Sequence, residues 1–105
     1  MAEIIWTEPA LSDLDAIADF IALDKPDAAK AFVRRVFYHV EQLQEHPESG
    51  CLVRELPNSP YRQIVEPPCR IFHRFDGTRI NVLHVMRGEM RLQKQRLRHS
   101  PASRP

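Results

Sequence analysis

The chain has 105 residues, 43% of them hydrophobic and 28% charged, the balance of one soluble domain with a single core. No apolar run approaches the ~20 residues of a membrane span, and MAEIIWTEPA lacks the basic start and long apolar stretch of a signal peptide, so a cytoplasmic location is expected. The net charge of +1 hides a split: residues 1–50 carry four Lys and Arg against ten Asp and Glu, and residues 51–105 carry eleven against four. Such a split marks a basic half that seeks an acidic partner, or two halves that attract each other within one fold.

Glu3–Trp6 (EIIW) is short, apolar and β-prone, and reads as a first strand. Thr7 stands where an N-cap belongs, with Glu8 and Pro9 in the first turn, where proline's missing N–H has no helical partner to lose. Leu11, Leu14, Ile17, Ala18 and Ile21 recur at helical spacing and define an apolar face, with Asp13, Asp15 and Asp19 expected on a solvated one. This helix ends near Leu23. Asp24-Lys25-Pro26-Asp27 opens a second helix that runs to about Glu45, with Ala29, Phe32, Val33, Val36, Val40 and Leu43 as its buried stripe. So short a connection makes the two helices antiparallel neighbours. Phe37 and Tyr38 lie beside the stripe, as core or as part of a partner-binding groove.

His46-Pro47-Glu48-Ser49-Gly50 stops the second helix. Cys51–Leu56 reads as a short edge strand or an irregular connection. Tyr61–Glu66 is a strand bounded by Pro67-Pro68, and Arg70–Phe75 and Arg79–Met86 form a hairpin around Asp76-Gly77, a pair that tolerates positive φ. The expectation is an α+β fold: an N-terminal strand and a two-helix antiparallel hairpin packed on a C-terminal antiparallel sheet of three strands. A two-residue turn pairs Phe75 with Thr78, Arg74 with Arg79 and His73 with Ile80. Ile71, Phe75, Ile80 and Val82 then share one face, and Arg70, Arg74, Arg79 and Asn81 the other. Like charges opposite one another cost up to ~1 kcal/mol, so Arg74 facing Arg79 reads as a surface for something acidic. After Met86 the chain turns basic, through Arg87, Arg91, Lys94, Arg96 and Arg98, and residues 100–105 read as a disordered tail behind a single domain of residues 1–99.

Chemistry-bearing motifs are scarce. Cys51 and Cys69 lack C-x-x-C spacing and read as inert thiols. His39, His46, His73, His84 and His99 show neither H-E-x-x-H nor a zinc spacing, and no phosphate loop or G-x-S-x-G is present. No metal and no cofactor is expected. His73 and His84 read as partly buried, hydrogen-bonded side chains.

The order of pieces carries more information than any one of them. IIWTEPALSDLDAIADFI is followed by DAAKAFVRRV, then HPESG, the strand YRQIV, the hairpin CRIFHRFDGTRINVLHV, and RGEMRL. Over about residues 3–92 this succession resembles the small toxins of bacterial toxin–antitoxin modules, the RelE/ParE superfamily. The resemblance implies two helices on an antiparallel sheet, and a small cognate antitoxin whose C-terminal part wraps the toxin, with a helix against it and acidic residues near its basic ones. RelE-like members cleave mRNA on the ribosome, whereas ParE-like members inhibit DNA gyrase. Ile64 stands at a strand position where a RelE-like toxin carries a catalytic lysine, and no tyrosine follows Tyr61. Arginine stabilises a charged phosphate but is a poor proton acceptor, so His73, His84 or His99 would have to substitute.

The resemblance therefore implies a ParE-like, non-enzymatic gyrase inhibitor, held by a ParD-like antitoxin in a hetero-oligomer. The basic segment Arg87, Arg91, Lys94, Arg96 and Arg98 is the expected toxic surface, Arg62, Arg70, Arg74 and Arg79 a second basic surface, and Phe37 and Tyr38 the antitoxin groove. A RelE-like ribosome-dependent mRNA endonuclease and a degenerate, non-toxic binding module are the alternatives.

Overall fold

The first strand does more than precede the helices. In the computed structural model, which describes residues 1–88, β1 (Glu3–Trp6) lies parallel to the last strand, β5 (Arg79–Arg87), pairing Ile4 with Ile80 and Trp6 with Val82. Thr7 then caps α1 (Glu8–Ala22): its hydroxyl accepts from the Ala10 N–H at 3.3 Å and donates to the Val82 carbonyl at 2.7 Å. One side chain thus starts the helix and pins it to the sheet. The stripe of α1 departs from expectation at its first member, where Ala10 takes the place of Leu11. Ala10 and Leu14 are buried, with Ile17 and Ile21 partly packed, while Leu11 faces out.

Three residues separate α1 from α2 (Pro26–Glu41), which continues as a single 3-10 turn over Gln42–Gln44. Lys25 occupies the cap position of α2 without a side-chain bond. Ala29, Phe32, Val36, Val40 and Leu43 are buried as expected, and the helix proper ends at Glu41 rather than Glu45.

The sheet has five strands in the order β1-β5-β4-β3-β2, with β2 at Cys51–Leu52, β3 at Tyr61–Glu66 and β4 at Cys69–Phe75. It is therefore wider than three strands and mixed, since β1 enters parallel. That parallel entry follows from the helix hairpin, which carries the chain across one face before it returns. The Pro67–Pro68 turn, a cis peptide, joins β3 to β4 as Glu66 pairs with Cys69.

The β4–β5 register differs from expectation by two residues. Phe75 pairs with Ile80, Arg74 with Asn81 and His73 with Val82. The cause is the Asp76 carboxylate, which accepts from the Thr78 N–H at 2.9 Å and the Arg79 N–H at 2.7 Å and widens the connection to Asp76-Gly77-Thr78. A slip of two preserves the faces, so Ile71, Phe75, Ile80 and Val82 do share one. It separates Arg74 from Arg79. Farther along, Leu83 is an extra residue between the His73–Val82 and Phe72–His84 pairs, a bulge that lets Val85 join the helix-facing core.

Two cores result. The larger lies between the helices and the sheet, built from Leu14, Phe32, Val36, Val40 and Leu43 against Ile71, Ile80, Val82 and Val85. The smaller lies on the opposite face, where the segment after β2 folds back so that Val53 and Leu56 cover Phe72, Leu83 and Met86.

Candidate partner groove and basic surfaces

The outer faces of α1 and α2 leave an apolar groove of about 540 Å³ between them. Leu11, Leu14 and Ala18 form one wall, at positions i, i+3 and i+7 of a single helix, and Val33 and Phe37, at i and i+4, form the other. Glu8, Ser12 and Asp15 line the α1 side. The groove exists because α1 turns Leu11 outward, 45% exposed, instead of into the core. Phe37 is half buried, with its ring 4.9 Å from that of Trp6, so the sheet holds its orientation. Tyr38, about 100° farther round the helix, is 61% exposed and meets the His39 ring edge-on. Of the two expected groove residues, the structure places only Phe37 in it.

The expected basic surfaces are distributed. Arg87 ends β5, and its guanidinium lies 4.8 Å over the ring of Phe20, itself exposed at the end of α1. Arg91, Lys94, Arg96 and Arg98 lie outside the described residues. Arg70 is buried beneath the segment after β2. It donates to both oxygens of Glu55, at 3.0 and 3.3 Å, and to Gln63 Oε1 at 3.1 Å, with its guanidinium 5.0 Å over the Phe72 ring. The bonded guanidinium holds the Glu55 carboxyl below its ordinary value. Arg74 is half buried opposite Tyr61 and Asn81. Arg62 lies opposite His73. Arg79 sits at the far side of the sheet, 3.1 Å from Glu3 on β1. These four arginines do not make one patch.

The histidines are equally informative. His73 is completely buried, and neither ring nitrogen has a hydrogen-bond partner among the described residues. Burial, with a smaller push from Arg62, lowers its pKa to about 4, so it is neutral at pH 7. His84 is buried too, stacked on Phe72 and bonded through Nδ1 to the Asp13 carboxylate, which also accepts from the Val85 N–H at 3.1 Å. His39 and Arg35 reach down from α2 to the buried Glu66 carboxylate, the latter at 2.8 Å.

Sequence reasoning missed both carboxylate sites, the buried Glu66 and the partly buried Asp13. For Asp13 a signal was present: it lies three residues after Ala10 and four before Ile17, at the border of the buried stripe, where a carboxylate needs a partner. Among the described residues no three His, Cys, Asp or Glu side chains group to hold a metal ion. No helix among them is long and apolar enough to cross a membrane.

Comparison with known proteins places these features in a family. The model of the family described as "ParE toxin of type II toxin-antitoxin system, parDE" matches residues 4–92. "Toxin RelE2" of Caulobacter vibrioides is 33% identical over 89 residues, 83% of this chain and 92% of that protein. "Putative toxin Y4kP" of Sinorhizobium fredii is 47% identical over 47 residues, 45% of this chain and 49% of that protein. Among solved structures, a chain of "Chromosomal ParDE TA system from P. aeruginosa" superposes with a TM-score of 0.72 at 26% identity, covering 85% of this chain and 98% of the other.

Proposed function

Because the chain belongs to the ParE toxin family of type II toxin–antitoxin systems, we propose that it acts in the cytoplasm by binding DNA gyrase, so that cleaved DNA complexes persist and replication stalls. A cognate ParD-like antitoxin neutralises it within a hetero-oligomer. The toxin acts by occupying its target and performs no covalent step of its own.

The observation that favours binding over catalysis is the state of the groups that RNA cleavage would need. Attack by a 2′-hydroxyl needs a proton acceptor within hydrogen-bond reach. His73 is sealed in the core, and His84 is buried against Asp13. Arg70 is committed to Glu55 and Gln63 under Val53 and Leu56, which cover that face of the sheet. None of these three is offered to a substrate. A ribosome-dependent mRNA endonuclease stays as the second reading because of the relation to "Toxin RelE2", and in that reading His99 is the remaining one of the three candidate histidines His73, His84 and His99. A degenerate, non-toxic module is a third.

In this account the basic C-terminal residues Arg87, Arg91, Lys94, Arg96 and Arg98 meet the target, with Arg62, Arg74 and Arg79 secondary, and the α1–α2 groove receives the antitoxin. Replacing Arg91, Lys94 and Arg96 together by glutamine tests the first assignment: growth arrest on induction should disappear while the fold, followed by circular dichroism, is retained. Full toxicity of that variant would remove the assignment.

A further inference from the structure

Helix α1 is tied to β5 at three places that step along both elements. The Thr7 hydroxyl donates to the Val82 carbonyl at 2.7 Å, and the Asp13 carboxylate accepts from the Val85 N–H at 3.1 Å. At the third, the guanidinium of Arg87 lies 4.8 Å over the ring of Phe20. Arg87 is the last residue of β5 and the first cation of the basic series Arg87, Arg91, Lys94, Arg96 and Arg98. We infer that Phe20 is a positioning residue for the target-binding surface: its ring holds the Arg87 guanidinium in the orientation in which it meets the target. The inference rests on the reading of Arg87 as part of that surface and names the side chain that sets it.

Position separates Phe20 from both cores and from the groove. It is 59% exposed and belongs to neither core cluster. It lies about 200° round the helix from Ala18, the groove residue two positions before it. A solvent-facing helix position is filled at least as well by Leu, Gln or Lys, which have higher helix propensity than Phe. What an aromatic ring adds there is the negative face of its π system, which attracts a cation.

The strand end gives Arg87 a fixed base. Its backbone pairs with Cys69, and the next N–H, that of Gly88, donates to the Pro68 carbonyl at 2.7 Å. Val85 faces the helices, and Arg87, two residues on, extends from the same face of the strand to the end of α1. The backbone is thus held by β4 and the guanidinium by α1. Arg87 gives up rotamer freedom in folding, before any partner arrives. An arginine without such a support gives it up only on binding, at a cost to affinity.

The test compares the full chain with Phe20→Tyr, Phe20→Leu, Arg87→Met and the double variant Phe20→Leu with Arg87→Met. The readout is the amount of toxin per cell, by immunoblot, that halves the growth rate. Arg87→Met should raise that dose about fivefold and Phe20→Leu about threefold, whereas Phe20→Tyr, which keeps the π face, should restore toxicity. Phe20→Leu should add nothing in the Arg87→Met background, because it acts through that side chain. Leucine is the better helix former and the site is exposed, so thermal melts and antitoxin affinity should stay those of the parent. By NMR, the Arg87 side-chain protons should carry an upfield ring-current shift in the parent and in Phe20→Tyr, and lose it in Phe20→Leu. A Phe20→Leu chain as toxic as the parent, independent losses from the two substitutions, or an absent ring-current shift overturns the inference. So does a loss in Phe20→Leu with Arg87→Met fully toxic, since Phe20 would then touch the target itself. A parent that arrests no growth removes the toxic-surface reading and the inference with it. Gyrase inhibition, measured separately, reports on the identity of the target alone.

Discussion

Arg70 and Glu55 meet at 3.0 Å beside the smaller core, and the pair fastens the segment after β2 over Phe72, Leu83 and Met86 on one face of the sheet. Only 8% of the Arg70 side chain is exposed. Arg70→Met should therefore cost about 2 kcal/mol of stability, since it strands a carboxylate that has lost its partner. Glu55→Gln should cost less, because a neutral amide still accepts. The folded-state pKa of Glu55 is depressed, so the contribution of the pair is present above the ordinary carboxyl value near 4.5 and is lost as pH falls below it. Urea titrations of both variants at pH 7 measure the difference. An Arg70→Met chain as stable as the parent would show that the pair does not hold that segment.

His73 gives a second, separable pH response. Its pKa falls from 6.5 unfolded to about 4 folded, so the unfolded chain binds the extra proton between those values. Stability should be complete above pH 6.5 and decline as pH drops toward 4, by roughly 3 kcal/mol in all. His73→Leu removes both the proton and two unsatisfied nitrogens. It should flatten the urea midpoint between pH 6.5 and 4.5 while changing stability at pH 7 by less than about 1.5 kcal/mol. An unchanged slope in that variant would assign the acid sensitivity elsewhere.

The two turn glycines should respond unequally to the same substitution. Gly50 and Gly77 both have positive φ, +95° and +98°. A Cβ at Gly77 meets nothing within 4 Å, whereas one at Gly50 would stand 2.7 Å from the Gln63 carbonyl oxygen and 3.2 Å from His73 Nε2. Gly77→Ala should cost about 1 kcal/mol from backbone strain alone. Gly50→Ala should cost roughly 3 kcal/mol or more, because the β2–β3 edge must also shift. Thermal melts of the two variants rank them, and equal costs would contradict this geometry.

How much of this was legible beforehand depends on the range of the interaction. Local signals read well: the Thr7 cap, the prolines opening both helices and the stripe Phe32, Val36, Val40 follow from short-range chemistry. The hairpin register slipped because Asp76 competes for two backbone N–H groups with its side chain, a choice that Asp-Gly alone does not reveal. The direction of β1 was hidden because it depends on where the helix hairpin delivers the chain. The four strand arginines looked alike in the sequence. Their fates diverged through partners far along the chain, with Glu55 taking Arg70 and Glu3 taking Arg79. Leu11 misled the helix reading because it matches the apolar period yet faces the α1–α2 groove rather than the core.

That exposure of Leu11 predicts its role. Leu11→Asp removes an apolar anchor from the groove wall and adds a third carboxylate beside Glu8 and Asp15. Affinity for the cognate antitoxin should fall at least tenfold, about 1.5 kcal/mol or more. The change in thermal stability should be small, since the side chain leaves water only when the partner docks. Isothermal titration with purified antitoxin, alongside a melt of the free variant, separates the two effects. Unaltered affinity would place the antitoxin on another surface.

The most direct test of the central claim is a supercoiling and DNA-cleavage assay with purified protein and DNA gyrase, run beside cleavage of ribosome-bound mRNA. The account predicts loss of supercoiling with accumulation of cleaved DNA, and intact mRNA. Cut mRNA with gyrase activity untouched would contradict it.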